Sequence, residues 1–191
     1  SHPLSITGIK EKKESTPPPL LFDLTELQRE MNKRLGLSAA DTLAIAQELY
    51  EKKILTYPRT DSRYLTLTMK SQVKNTLHAL KGFAPEAIRP IDLQNLSTSK
   101  RIFNDSKVTD HHAIIPTGKG IGQLGGSAQN IFQAVCMRFI AAFYPPSEKK
   151  LTSVEAESNN IKFQAKGVQI LSPGWTVLEP KKKDQDQVLP A

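Results

Sequence analysis

Residues Ile54 to Leu65 read Ile-Leu-Thr-Tyr-Pro-Arg-Thr-Asp-Ser-Arg-Tyr-Leu, bringing phenol, guanidinium, hydroxyl and carboxylate groups into one short stretch. Pro58 cannot sit in a helix interior, and it biases Tyr57 toward extended backbone. Tyr57 is therefore expected on a stiff, non-helical turn, close in sequence to the cation of Arg59. An arginine offers a planar fork of donors that matches phosphate oxygens. A phenol held beside such a fork could attack a phosphodiester. Phenols titrate at about 10 and are mostly protonated at neutral pH, so attack would need cationic stabilisation and a route for the proton. Lys52, Lys53, Arg59 and Arg63 cluster around the turn and favour an anionic partner. The same residues also describe an ordinary helix connector with a half-buried tyrosine and a solvated arginine. On chemistry alone that plainer reading is the commoner one.

The triplet Asp110-His111-His112 is the other conspicuous group. Adjacent residues point to different sides of a helix or strand, so His111 and His112 could not readily chelate one ion. No metal site is expected there, and His111 stands as a site candidate against a purely structural histidine. The single cysteine, Cys136, lies in the apolar run Val135-Cys136-Met137 and reads as a buried thiol, which excludes a disulfide framework and a cysteine-rich zinc site. Gly118 to Gly126 lacks the order of a phosphate-cradling fingerprint and is expected to be a flexible connection.

The elements that must position these groups follow from periodicity. Ser5 to Ile9 predicts a short strand, followed by the charged stretch Lys10 to Glu14. Pro17-Pro18-Pro19 is stiff and extended, suited to joining two bodies. Leu24, Leu27, Met31 and Leu35 recur at helical spacing, with Asp23 or Thr25 as cap and Gly36 as stop. Ser38 and Asp41 form a capping-box variant opening a second helix, whose apolar side carries Leu43, Ala46, Leu49, Tyr50 and Ile54. It delivers the chain to Tyr57. A third helix, capped by Thr66, carries Met69, Val73, Leu77 and Leu80 and stops near Gly82; His78 in it reads as a surface or interface residue. A fourth, capped by Ser127, carries Phe132, Val135, Phe139 and Phe143 and ends at Pro145-Pro146.

Beyond Pro146 the period drops to two. Asn159-Asn160 makes a two-residue turn that pairs Ser158 with Ile161, Ala156 with Phe163 and Val154 with Ala165. A third strand is expected through Trp175 to Leu178, and the tail Pro180 to Ala191, with its three lysines, is expected to be loose. The fold class is α+β: a helical domain over 23–146 inserted into a small antiparallel β domain formed by 1–22 and 147–191.

At 191 residues the chain can bury a substantial core. Lys and Arg number 26 against 19 acids, a net charge of +7 that fits a nucleic-acid partner. No apolar run approaches the roughly 18 residues needed to span a bilayer, and the protein is expected to be intracellular and soluble. It opens Ser-His-Pro without a methionine and reads as a piece of something longer.

Several motifs in order resemble the type IA DNA topoisomerases. Thr56 to Ser62 resembles that family's active-site signature, with tyrosine ahead of Pro-Arg-Thr-Asp. Pro17 to Glu30 and Thr42 to Glu51 resemble the segments leading into its tyrosine domain. Asp110 to Thr117, Asp-His-His-Ala-Ile-Ile-Pro-Thr, resembles its histidine motif. Tyr57 followed by proline is closest to the topoisomerase III branch. The likeness runs from about Pro17 to Trp175.

The resemblance implies that Tyr57 attacks single-stranded DNA and forms a transient 5′-phosphotyrosyl link, allowing strand passage and religation without ATP. It implies catalytic roles for Tyr57 and Arg59, with Arg59, Thr60, Ser62, Arg63 and His111 contacting DNA. The β domain would be part of an arch, or gate. It also implies Mg²⁺ held by acids of another domain. No such acid cluster occurs in this sequence: Asp184 and Asp186 lie in a polar tail, and Glu155 and Glu157 alternate onto the outer face of the hairpin. The stretch alone is therefore expected to be inactive, a monomer working with the remaining domains of its polypeptide, in the cytoplasm at the nucleoid. The alternative is a non-catalytic single-stranded DNA-binding module.

Overall fold

The computed structural model describes residues 4–120 and 124–179. The expected loose tail, with Asp184 and Asp186, and residues 121–123 of the glycine-rich stretch lie outside them. The described residues are α+β: helices together with one three-stranded antiparallel sheet. They form two compact units, one drawn from the stretches before Pro17 and after Pro145, the other spanning Pro17–Pro145.

In the helical unit, α1 (Leu24–Leu35) starts at Asp23, whose carboxylate accepts the Glu26 N–H at 2.7 Å, and stops at left-handed Gly36. Helix α2 (Ala39–Glu51) begins at Ser38, whose hydroxyl accepts the Asp41 N–H at 3.0 Å. Both starts match their sequence signals. Helix α3 (Lys70–Ala79) departs from expectation, because single 3₁₀ turns precede and follow it. Thr66 does not cap it. The neighbouring Leu67 N–H is taken instead by Asp105, at 2.8 Å from a distant loop. After the short α4 (Pro85–Ile88), helix α5 (Gly126–Ala141) opens at Gly125 with no side-chain cap, so Ser127 lies inside the helix.

The core gathers Leu27 and Met31 of α1, Ala46 and Leu49 of α2, Val73 and Leu77 of α3, and Phe132, Val135, Cys136 and Phe139 of α5, all 1% exposed or less. Burial pushes the Cys136 thiol pKa up, as an inert core cysteine requires. Residues 83–109, which hold none of the elements expected from periodicity, contribute Ile88, Leu93, Leu96, Ile102 and Phe103 to the same core. The boundary expected at residue 22 falls earlier. Leu21 and Phe22 are both 1% exposed within the helical unit, and Phe22 bridges to Ile114 there.

In the other unit, β1 (Ser5–Thr16) pairs with β2 (Ser147–Ser158), which pairs with β3 (Ile161–Ser172). The hairpin register matches the sequence reading at Ser158–Ile161, Ala156–Phe163 and Val154–Ala165. Asn159 and Asn160, at φ 51° and 63°, supply the left-handed backbone that a two-residue turn of this hand requires. Strand β1 is longer than expected because its charged half finds partners on β2: Lys150 meets Glu11 at 3.0 Å and Lys149 meets Glu14 at 3.3 Å. The strand expected at Trp175–Leu178 is instead a 3₁₀ turn, Gly174–Leu178, opened by Pro173. The Trp175 indole N–H donates to the Thr16 carbonyl at 3.0 Å.

Candidate functional site

The end of α2 sets the geometry. Lys53 takes a left-handed conformation, φ 60°, and reverses the chain. The N–H groups of Ile54 and Leu55 then fold back onto the Leu49 carbonyl, at 2.9 and 3.3 Å. From there the chain runs beside the histidine motif. Thr56 N–H donates to Ile115 O at 3.0 Å, Thr117 N–H donates to Ile54 O at 3.0 Å, and Leu55 bridges to Pro116. The Thr56 hydroxyl closes this ladder from the side chain, donating to Ala113 O at 3.2 Å and accepting from Ile115 N–H at 2.9 Å.

Tyr57 emerges half-buried at the end of the ladder, with Pro58 buried behind it. Its ring packs against two others. The His111 ring is 4.4 Å away, centroid to centroid, at 46°, and the Tyr50 ring is 5.3 Å away at 75°. His111 is exposed, and Asp110 approaches its Nε2 at 3.4 Å. The structure thus brings Tyr57 and His111 together, although a long stretch of sequence separates them. His112 turns inward instead. Its Nδ1 lies 2.8 Å from Ala113 O, and burial, reinforced by neighbouring His111, holds its pKa below the ordinary imidazole value.

The remaining candidate residues divide. Arg59 is exposed along an open groove of about 450 Å³ beside Leu43, Ala44, Gln47, Glu48 and Glu51 of α2. No described residue pairs with its guanidinium. Arg63 is turned inward: its Nε donates to Leu21 O at 3.1 Å and a terminal nitrogen lies 4.0 Å from Glu26. It is not a free cation at the turn, and Lys52 is likewise paired, with Glu48.

Thr60 and Ser62 depart from expectation in the same way, at 8% and 5% exposure. The Thr60 hydroxyl donates to His111 O at 3.1 Å and accepts the Ser62 N–H at 3.1 Å. The Ser62 hydroxyl donates to Lys107 O at 2.8 Å. Both hydroxyls hold backbone segments together. A residue so placed satisfies polar groups that would otherwise be buried without partners.

The segment Leu20–Leu24, legible in the sequence only as part of a lead-in and a helix start, supports both motifs. Ile114 N–H donates to Phe22 O at 2.8 Å, and Leu24 N–H donates to Thr60 O at 3.0 Å. Arg138 of α5 fixes this segment from below, donating to Leu20 O at 3.2 Å with its guanidinium 4.1 Å from the Phe22 ring centroid. The glycine-rich stretch is likewise more than a connection. A Cβ at Gly120, φ 68°, would lie 2.5 Å from Ile54 Cγ1, and one at Gly118 would lie 2.9 Å from Ala79 Cβ. Gly120 thus permits close approach to Ile54 at the start of the tyrosine turn, and Gly118 close approach to the end of α3.

Among the described residues, no group of three or more His, Cys, Asp or Glu side chains could hold a metal ion. The described residues by themselves do not build a Mg²⁺ site. No helix among them is long and apolar enough to cross a membrane.

Residues 1–191 match the family model described as DNA topoisomerase. The chain is 44% identical to DNA topoisomerase 3 of Shouchella clausii, over 97% of this chain and 26% of that protein. It is 36% identical to DNA topoisomerase 3 of Bacillus subtilis, over 97% of this chain and 27% of that protein. It therefore spans about a quarter of the length of these curated relatives. The structure of full-length topoisomerase I from Thermotoga maritima shares its fold, with a TM-score of 0.67 and 22% identity over 94% of this chain and 30% of that one. By its end-to-end family match and its topoisomerase 3 relatives, the chain belongs to the type IA DNA topoisomerases, close to topoisomerase III.

Proposed function

We propose that Tyr57 is the nucleophile with which a topoisomerase of this family breaks and reseals one DNA strand. The phenol oxygen bonds to the phosphorus of a single-stranded phosphodiester. The bond from phosphorus to the 3′-oxygen breaks, and that oxygen leaves as a hydroxyl carrying the proton given up by the phenol. The DNA is then held through a 5′-phosphotyrosyl link. Reversal by the 3′-hydroxyl reseals the strand, and because one ester replaces another, no ATP is consumed.

The observation that carries this reading is the packing of Tyr57 against His111 at 4.4 Å, on a turn that backbone hydrogen bonds anchor. Arg59 supplies the unpaired guanidinium that a developing phosphorane charge calls for. Its exposure suits a ligand that arrives from solvent. His111, also exposed, meets the DNA backbone beside it. The helical unit is the tyrosine-bearing domain inserted into the sheet unit, which belongs to the arch. Metal ions, where the full enzyme uses them, come from other parts of the polypeptide.

The test is Tyr57→Phe in a full-length topoisomerase carrying this chain. The variant keeps its fold and its affinity for single-stranded DNA and forms no covalent adduct. A normal adduct from the variant would remove Tyr57 as nucleophile and favour a non-catalytic DNA-binding module. The 191-residue stretch by itself binds single-stranded DNA weakly, with a log-log salt slope of about −0.7 per phosphate contacted. It leaves supercoiled plasmid unrelaxed.

A further inference from the structure

Tyr50 has no part in the chemistry above, yet its ring is one of the two that bound Tyr57. It stands in the last turn of α2, 40% exposed, with its ring edge-on to the Tyr57 ring at 5.3 Å and 75°. Among the described residues its hydroxyl has no partner. What it offers Tyr57 is therefore a ring surface and not a hydrogen bond.

The placement is built by the backbone. Leu49, beside Tyr50, accepts from both Ile54 and Leu55, and the left-handed Lys53 reverses the chain between them. The position of Tyr50 is thereby tied to the start of the tyrosine turn through a few short hydrogen bonds. The Thr56 hydroxyl ties the turn to Ala113 and Ile115, in the same segment as His111. Tyr57 thus meets one ring from the helix end and one from the histidine motif. Each ring belongs to a segment fixed independently of the Tyr57 side chain.

We propose that Tyr50 is a positioning residue for the Tyr57 nucleophile, acting through its ring to hold the phenol in the orientation that attacks DNA. This rests on the reading of Tyr57 as the nucleophile. In-line attack requires the phenol oxygen opposite the leaving 3′-oxygen, and a tyrosine free to swing about its side-chain torsions reaches that arrangement only part of the time. An edge-to-face partner narrows the torsional range. Holding a reacting group near its attack geometry raises the rate at saturation without adding contacts to the substrate. The effect should therefore fall on the rate of covalent attachment and not on affinity.

The experiment measures single-turnover adduct formation on a 3′-labelled single-stranded oligonucleotide, across oligonucleotide concentrations, in a full-length topoisomerase carrying this chain. Tyr50→Ala should slow adduct formation at saturation about two- to tenfold, the range corresponding to loss of one aromatic pair. Its half-saturating concentration should stay within about twofold of the parent, since the contact is to Tyr57 and not to DNA. Tyr50→Phe should restore the parental rate, because the ring and not the hydroxyl does the holding. Tyr50→Leu fills the space without a ring, and it should be slowed whether or not the alanine variant folds.

Parental rates in Tyr50→Leu or in a folded Tyr50→Ala would overturn the proposal. So would a Phe variant as slow as the alanine one, or a loss confined to the half-saturating concentration, which would make Tyr50 a DNA contact. Tyr57→Phe is run alongside. An adduct that survives it overturns the nucleophile reading itself, an outcome separate from a Tyr50 effect that fails to appear while Tyr57→Phe is dead.

Discussion

The Nε of Arg63 donates to the backbone carbonyl of Leu21 at 3.1 Å. The second arginine of the tyrosine motif is therefore a brace for the segment leading into α1. Arg63→Ala should lower stability by about 1.5–3 kcal/mol, the usual worth of a hydrogen bond from a charged donor. The loss should appear as an earlier urea midpoint. Single-strand affinity of the folded protein should barely change, and a large drop in affinity without destabilisation would return Arg63 to the DNA-binding set.

Ser62→Ala tests the same idea at a hydroxyl. The change leaves Lys107 O and the Tyr64 N–H, 2.8 and 3.2 Å from the serine oxygen, without that partner. A loss of about 1–3 kcal/mol is expected, as for other buried polar groups orphaned by substitution. Ser62→Thr, which keeps the hydroxyl, should lose less. Thermal unfolding of the pair decides the point.

Arg59 should behave in the opposite way. Arg59→Ala removes an exposed guanidinium with no partner among the described residues, so stability should stay within about 0.5 kcal/mol. Adduct formation should slow by an amount corresponding to about 2–4 kcal/mol in the barrier, by analogy with removing one oxyanion donor. Arg59→Lys should recover only part, because an ammonium cannot present the planar fork. Rapid-quench measurement of adduct formation separates the three proteins.

His112 gives the fold a dependence on acid. Burial, followed by the nearby His111, lowers its pKa, while its bond to Ala113 O opposes them. The unfolded chain therefore takes up a proton near the ordinary value of 6.5 that the folded chain refuses. The stability that neutral His112 contributes is present above that pH and is lost as pH falls below it. The melting temperature should decline from about pH 7 to pH 5.5, and His112→Gln should flatten the decline. An identical slope in the variant would shift the dependence to other groups.

Local rules carried the sequence reading far. The hairpin register was legible because a two-residue turn and strict alternation leave one pairing that keeps Val154, Ala156, Ile161 and Phe163 on one face. Asp23 and Ser38 were legible as caps because a cap acts within its own turn. What escaped depends on partners far along the chain. The charges of Lys10 to Glu14 look like a loop until β2 supplies Lys149 and Lys150. Thr60, Ser62 and Arg63 look like ligands for phosphate until His111, Lys107 and Leu21 present their carbonyls. The likeness of the motifs implied only a DNA contact for His111; its ring against Tyr57 required the pairing of two distant segments, and Tyr50 beside Tyr57 required the reversal at Lys53.

The pairing of Thr16 with Ser147 has a consequence for the order of folding. Strands β2 and β3 meet across two asparagines and can zip as soon as they are made. Strand β1 joins them only by closing a loop that contains the whole helical unit. The entropy of closing a flexible loop grows with its length, so early docking of β1 is disfavoured while that loop is still uncollapsed. Compaction of residues 17–145 shortens the effective loop and makes the last pairing accessible. A refolding chain should therefore protect the core amides of α2 and α5 from exchange before those of β1, with the three-stranded sheet completed last.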